Sequence, residues 1–352
     1  MDLIPGLPDD VGLDCLIRLP YNDFSSATSV CRSWKSQIRL ASFRDHRKTA
    51  GVSRRVIVMV QSQSDPNRKQ GLRKYSSTPV YRLTVYEPET GKWAGLPPIP
   101  GFFDGLPLFC QIAPVGYNLV VMGGLNPDNW EASNFVFIYN FVSATWRRGP
   151  DMPGCTRSFF GCASDNNRRV FVAGGHDNEK NALRSAMVYD VAEDVWTPLA
   201  DMANERDECK GIFHRGKFYV IGGYNTLMQG QFGKSAEAFD VFTWRWNVTE
   251  DEFLASDTCP RTCVEGGDGV MYMYQDGGVV ALDHSYRIRI PSDMDSVPCI
   301  IGWEGRLLAV GSVGFDGAHG LYVLDLKSST WTKADVPEAY SGHVQSGCCL
   351  EI

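Results

Sequence analysis

Hydrophobic residues follow two different periods along this chain. Near the N-terminus they recur at helical spacing and form two stripes on a short helix, Leu13, Leu16 and Ile17 on one side and Val11, Cys15 and Leu19 on the other. From about residue 54 onward, the apolar runs have the length of β-strands and end at glycine-rich turns. The pattern predicts a small helical module in front of a much larger β domain.

The β region contains an internal repeat. Five segments end in tryptophan, and seven positions before it each has an aromatic residue or leucine that is followed at once by an acid or amide: Trp93, Trp146, Trp196, Trp246 and Trp331. The first three intervals are about 50 residues, and the last is about 85, close to two units. A degenerate copy fills that gap, with Leu282 and Asp283 at the paired positions and Arg289 in place of tryptophan. We therefore predict six units.

The other half of the unit is a glycine doublet at the end of an apolar strand, as in Gly123-Gly124, Gly174-Gly175 and Gly222-Gly223. Glycine is required where φ is positive or where another chain segment passes too close for a Cβ atom. Strands of this length at this repeat period predict four-stranded blades around a central axis. The first unit lacks an opening strand, and residues 341–352 have the pattern of that strand. We expect the C-terminal strand to complete the first blade and remove an open sheet edge.

The doublet and the spaced Tyr and Trp residues resemble the kelch motif. The resemblance covers about residues 54–352. It implies a mainly β fold, a six-bladed kelch β-propeller, in which the motif's Tyr and Trp side chains pack between neighbouring blades.

The head of the chain, residues 1–45, reads as a separate helical module. Pro8 and the two acids after it begin a helix, and Pro20 ends that helix. A second apolar stripe follows at helical spacing between Phe24 and Ile38. Two or three short helices bury too little surface to be stable alone, so the module needs a partner.

The head resembles an F-box, the motif that docks onto the Skp-family adaptor of cullin-RING (SCF) ubiquitin ligases. Leu7-Pro8, Leu19-Pro20 and the run from Val30 to Trp34 stand at the motif's characteristic positions. The resemblance implies that one face packs within the module and that these residues contact the adaptor: Leu7, Pro8, Val11, Leu16, Leu19 and Trp34. The alternative is a helical cap on one face of the propeller itself.

Charge and composition narrow the range of partners and compartments. A net charge of −7 over 352 residues argues against a general nucleic-acid binder. No apolar run approaches the roughly 20 residues of a membrane helix, and no signal-type segment begins the chain, so we expect a protein of the cytoplasm or nucleus without a membrane partner. There we expect the 11 cysteines, Cys259 and Cys263 included, to be structural thiols rather than disulfides or zinc ligands.

Catalytic motifs are missing from the sequence. The six histidines are scattered, and no phosphate-binding loop, serine-hydrolase elbow or zinc-protease helix occurs. We therefore expect a non-catalytic protein with no metal and no cofactor, although propellers also carry enzymes.

A target-binding surface is the better prediction for the ring. Arg157, Arg206 and Arg261 precede successive units at intervals of about 50 residues, so they could lie together on one face and bind carboxylates or phosphates of a target. In the alternative, each arginine makes a local salt bridge to a loop acid such as Asp151, Asp207 or Asp257. Further candidates lie on the loops after the doublets, namely Trp130, Arg184 and Phe232, with Met228 beside them. The basic insert at 61–78 is a last candidate.

These features together predict a substrate-recognition subunit of an SCF-type ubiquitin ligase, with the adaptor on the F-box and the target on the ring. The start of the chain also resembles a plant group of kelch-type F-box proteins, which implies phenylalanine ammonia-lyase or a hormone response regulator as possible targets. Two alternatives stay open: a kelch interaction scaffold outside the ubiquitin system, and a propeller enzyme.

Overall fold

The computed structural model describes residues 3–63, 79–283, 285–313 and 318–352. Most of the basic insert predicted at 61–78 therefore lies outside the described residues. Four helices make up the head: α1 Asp9–Ile17, α2 Phe24–Val30, α3 Arg32–Arg39 and α4 Ala41–Thr49. No helix in the described part of the chain has the length and apolar character needed to cross a membrane.

Local sequence explains where these helices begin and end. Pro8 is extended and precedes α1, whose first turn carries Asp9 and Asp10, as expected. Cys31 interrupts the second apolar stripe because its backbone is extended, and its Sγ atom accepts a hydrogen bond from the Trp34 amide at 3.4 Å. The stripe is therefore divided between α2 and α3, and α4 adds a fourth helix beyond the two or three expected.

The rest of the described chain forms short antiparallel strands. The first half of the ring contains β1 Arg55–Ser62, β2 Tyr81–Glu87, β3 Lys92–Gly95, β4 Gln111–Val115, β5 Asn118–Met122, β6 Val136–Asn140, β7 Thr145–Arg148, β8 Gly161–Ser164, β9 Arg169–Ala173, β10 Ala186–Asp190 and β11 Val195–Pro198. The second half contains β12 Lys210–His214, β13 Lys217–Ile221, β14 Ala236–Asp240, β15 Arg245–Trp246, β16 Val264–Glu265, β17 Met271–Gln275, β18 Gly278–Ala281, β19 Arg287–Arg289, β20 Met294–Trp303, β21 Arg306–Val313, β22 His319–Asp325, β23 Thr330–Ala334 and β24 Val344–Glu351.

These strands build six four-stranded sheets in the described residues, which confirms the predicted six-bladed propeller. Five blades use consecutive strands, and the first has the order β24-β1-β2-β3. Val58 in β1 pairs with Cys348 in β24, and Arg54 and Ile352 exchange backbone hydrogen bonds of 2.7 and 2.9 Å. The two ends of the chain thus meet in one blade, which leaves no open edge at the closure.

The repeated tryptophans connect neighbouring blades. Each of the five donates its indole Nε1–H to a backbone carbonyl of the preceding blade, for example Trp196 to Pro150 at 3.0 Å. Trp93 does the same across the closure, to Asp335 at 3.1 Å. The expected position of these side chains between blades is confirmed.

The glycine doublets allow a close backbone approach at one end of the ring. Both Gly174 and Gly175 have positive φ, and a Cβ atom on either would lie 2.4 Å from a carbonyl oxygen, that of Arg206 or Ser158 respectively. A side chain at Gly174 would collide with the segment that enters the next blade, and one at Gly175 with the segment that enters its own blade. We call this end of the ring the loop face, because the long loops after the doublets lie on it; the opposite end, with the turns between β4 and β5 and between β6 and β7, is the turn face.

The helical head packs on the turn face, beside the first two blades. Phe24 contacts Phe43 within the head and Tyr117 of the β4–β5 turn edge to face, with ring centroids 5.9 and 6.0 Å apart. Tyr21 packs against Phe141 and donates its hydroxyl to Glu87 Oε1 at 2.6 Å. The inner side of the head shares one apolar core with the ring. The alternative of a cap on the ring therefore describes this inner side.

Candidate functional site

The outer side of the head carries exposed apolar residues. Val11 on α1 and Val30 at the end of α2 are exposed, Val30 by 63% of its surface. Pro8 and Cys31 are exposed beside them, and Leu7 is half-buried. This outer side is available to a partner, as expected for the adaptor-binding surface.

Other predicted adaptor contacts lie inside the structure. Leu16 is only 1% exposed and belongs to the core shared with the ring, so its prediction as an adaptor contact is wrong here. Leu19 is half-buried against the same core, and its carbonyl accepts a hydrogen bond from Arg47 at 2.8 Å. Trp34 is half-buried and donates its indole N–H to the Leu3 carbonyl at 2.7 Å. Val30, which begins the Val-Cys-Arg-x-Trp motif, was not among the predicted contacts, although it is exposed on the outer side of the head.

The arginine cluster predicted on the ring does not form. Arg157 is 2% exposed, and its guanidinium donates to the Gly174 and Ser185 carbonyls at 3.2 and 3.3 Å and to Ser185 Oγ at 3.0 Å. Burial lowers its pKa. Arg206 repeats this arrangement one blade later, with Gly222 and Ser235 as acceptors at 2.8 to 3.0 Å.

Both arginines therefore hold the two ends of a loop together and cannot face a target. The alternative partners Asp151, Asp207 and Asp257 are not used either, because the acceptors are carbonyls, serine hydroxyls and, for Arg206, Glu237 at 3.2 Å. The sequence carried a signal for this role: Ser185 and Ser235 each precede the alanine that begins the third strand of their blade.

Arg261 occupies a different position from the other two. Tyr274 holds the first doublet position of the fifth blade, and Val264 pairs with Tyr272, two residues before it. Gly222 holds that position in the fourth blade, and Gly211 pairs with Val220, two residues before it. Val264 is therefore equivalent to Gly211, and Arg261 to Glu208 rather than to Arg206. Arg261 lies in the short 3-10 helix Pro260–Thr262 and is exposed. It lines a cavity at the axis of the ring.

The loops after the doublets carry the remaining predicted residues. Trp130 is exposed on the loop of the second blade, and Arg184 is exposed beside Asp201, with 3.4 Å between Nε and Oδ2. Phe232 is half-buried and packs edge to face on Tyr224. It lines a groove of about 840 Å³ together with Leu227, which is 92% exposed and was not predicted. These residues lie on the loop face but on different blades, so they make a broad surface rather than one cluster.

A buried Ser-His-Asp arrangement lies under these loops. Ser158 Oγ is 3.4 Å from His176 Nε2, and His176 Nδ1 is 2.9 Å from both carboxylate oxygens of Asp207. Catalysis would need a serine that a substrate can reach. Ser158 is 1% exposed, and the Phe159 ring stacks on His176. The three residues are best explained as a hydrogen-bonded connection between the third and fourth blades.

Metal and disulfide chemistry find no support in the described residues. No group of three or more His, Cys, Asp or Glu side chains is placed there to hold a metal ion. All eleven cysteines lie in the described residues and carry free thiols. Whether the protein lacks catalytic activity stays a prediction.

Comparison with known families agrees with this architecture. Residues 4–46 match the F-box domain, and residues 109–153 and 156–203 match the Kelch motif. The names of these two families indicate an adaptor-type protein rather than a catalytic one. They also associate the chain with a Skp-type adaptor and a protein target.

Three curated Arabidopsis thaliana proteins show the similarity over the chain. The F-box/kelch-repeat proteins At1g80440 and At1g15670 are 48% and 47% identical, each over 100% of both chains. The F-box/kelch-repeat protein SKIP20 is 35% identical over 74% of this chain and 69% of its own. The chain therefore belongs to the F-box/kelch-repeat family.

Proposed function

We propose that this protein is the substrate-recognition subunit of an SCF-type ubiquitin ligase, and that it directs a bound target protein to degradation. The observation that supports the proposal is the position of the exposed outer side of the head and of the long loops at opposite ends of the ring. The head, with its exposed Val11 and Val30, packs on the turn face, and the long loops lie on the loop face. An adaptor and a target can therefore bind at the same time.

The contribution of such a subunit to the reaction is proximity. Holding a target lysine near a charged ubiquitin carrier replaces a bimolecular encounter by an effectively unimolecular one, and the transfer chemistry belongs to other subunits. The helical head is fixed to the ring by a shared apolar core rather than by a free linker, which keeps the target at a set distance. We propose the cytoplasm or the nucleus as the place of action.

Adaptor binding tests this proposal through a double substitution, Val11→Asp with Val30→Arg. The acid lies in the first turn of α1 and the base at the end of α2, so each charge suits its helix end and the head should stay folded. Each replaces an exposed apolar contact, and an anchor at an interface is worth about 2 kcal/mol or more. We expect co-purification with the Skp-family adaptor to disappear at an unchanged melting temperature.

The matched control is Val195→Asp with Val248→Arg, which changes two exposed valines of the ring in the same way. It should bind the adaptor as the wild type does. Adaptor binding by the Val11→Asp/Val30→Arg protein that equals that of the control would overturn the F-box role and favour a scaffold.

A further inference from the structure

A cavity of about 90 Å³ lies on the axis of the ring, below the loop face. Its mouth is formed by residues just before the innermost strands, among them Phe109, Phe159, Glu208 and Arg261. Its wall is formed by the strands themselves, from which Cys162, Lys210 and Cys299 contribute side chains. The cavity is thus shared among several blades and open towards the side on which we place the target.

Lys210 carries a positive charge at a strand position that is uncharged in neighbouring blades. In five of the six blades, the register pairs one residue of the innermost strand with the last residue before the doublet position. Lys210 is that residue in the fourth blade, and its equivalents in the other four are uncharged: Gln111, Gly161, Cys299 and Ser346. Lys210 is half-buried, one layer deeper than Arg261. The fold therefore brings one lysine and one arginine to the same axial cavity.

Neither cation has a partner in the part of the chain that the structure describes. No carboxylate oxygen lies within 4 Å of either side chain, and neither side chain makes a hydrogen bond there. Glu208 at the mouth instead accepts a hydrogen bond from the Tyr224 hydroxyl at 3.1 Å. For the half-buried Lys210, a charge without a partner carries a desolvation cost that a bound anion would offset.

The surrounding thiols do not supply the missing negative charge. Burial raises the pKa of Cys162 to about 12 and that of Cys299 to about 11, so both are neutral at physiological pH. Lys210, Arg261 and Cys299 line the same cavity, and the positive charges of Lys210 and Arg261 partly offset the rise in the pKa of Cys299. His343 at the same cavity is also neutral at pH 7, because burial and the charge of Arg261 lower its pKa.

The size of the cavity limits what can enter. A site holds one water molecule when the centre of that molecule has about 10–15 Å³ in which to move, and the volume of the axial cavity is given on the same scale. The axial cavity thus has room for a few atoms, about the size of a carboxylate or phosphate group, and none for a nucleotide. We propose that the axial cavity binds a small oxyanion, a carboxylate or phosphate group, between Lys210 and Arg261.

Titration of the full-length protein with inorganic phosphate and with succinate, at constant ionic strength in chloride, tests this site. Isothermal calorimetry should detect one site in the wild type. Lys210→Met and Arg261→Met should each weaken binding by about tenfold or more, because each removes one charge-assisted hydrogen bond. Lys217→Met changes the lysine of β13 at the turn-face end of the same hairpin and should leave the dissociation constant unchanged.

The source of the oxyanion is distinguished by a blocked Gly-phosphoserine-Gly peptide. Tighter binding of this peptide than of inorganic phosphate assigns the site to an acidic or phosphorylated side chain of a target, and weaker binding assigns it to a free small anion. Absence of binding of all these probes to the wild type, or equal binding by both methionine variants and the wild type, would overturn the site. The assay contains no adaptor, so its failure would leave the ubiquitin-ligase role untouched.

Discussion

Replacing Arg47 by methionine is expected to destabilise the protein and to loosen the helical head from the ring. The Arg47 guanidinium is 1% exposed and donates to the carbonyls of Leu19 at 2.8 Å, Val52 at 3.1 Å and Ile352 at 3.5 Å, as well as to that of Ile17. One side chain thereby joins α1, the connection to β1 and the C-terminal residue of the ring.

The expected size of this effect follows from the charged donor. Hydrogen bonds to charged groups contribute about 1.5–3 kcal/mol each. Part of this contribution offsets the desolvation cost of burying the Arg47 guanidinium, the same burial that lowers its pKa. Methionine fills a similar volume over the Phe24 ring but leaves the carbonyls without a donor. We expect a net loss of about 3 kcal/mol in the free energy of unfolding.

Urea unfolding and hydrogen exchange measure this loss. Exchange should accelerate in α1 and α4 before it does in the blades, because the head loses its attachment first. The control is Lys48→Met at the next position, which removes one ion pair between the exposed Lys48 and the half-buried Glu351 and should cost under about 1 kcal/mol. Equal stability of the two variants would show that the apolar core alone holds the head.

Deleting residues 344–352 is expected to prevent the ring from folding. The deletion removes β24, the innermost strand of the first blade, and exposes the backbone edge of β1. It also removes Val344, Leu350 and Ile352, all of which are buried. Burial of each such side chain is worth about 1.5–3 kcal/mol, so the loss approaches the whole stability of an ordinary domain.

The measurement is the soluble yield of the truncated protein and its melting curve. We expect aggregation, since an unpaired β1 edge can pair with other copies. Ser346→Ala keeps every backbone hydrogen bond of β24 and should be soluble with a nearly unchanged melting temperature. A soluble truncated protein that melts like the wild type would show that β24 does not close the ring.

Repetition made the ring predictable from the sequence. Tyr189 and Trp196, for example, recur in the other units because each blade must bond to the one before it, and glycine recurs where the next blade passes close. Even the degenerate fifth unit keeps Leu282 and Asp283. A constraint that repeats in each blade is visible as a pattern in one sequence.

Side-chain direction was less predictable. The phase of a repeat places Arg157 on a blade but does not tell whether it points to solvent or into its own loop, which depends on Ser185. The segment between β15 and β16 shifts Arg261 by two positions, so its spacing from Arg206 was misleading. Likewise, the stripe that contains Leu16 shows that one face is apolar, whereas the ring residues that share its core, such as Tyr117, come from distant sequence.

We propose that this protein delivers captured targets to a ubiquitin ligase. The most direct test purifies the wild type and the Val11→Asp/Val30→Arg variant from proteasome-inhibited cells and quantifies ubiquitin-modified lysines on the captured proteins by mass spectrometry. We predict that both capture the same proteins, and that ubiquitin conjugates on them fall about tenfold or more with the variant because proximity to the carrier is lost. Equal conjugation on the proteins captured by both would contradict the account and favour a kelch scaffold outside the ubiquitin system.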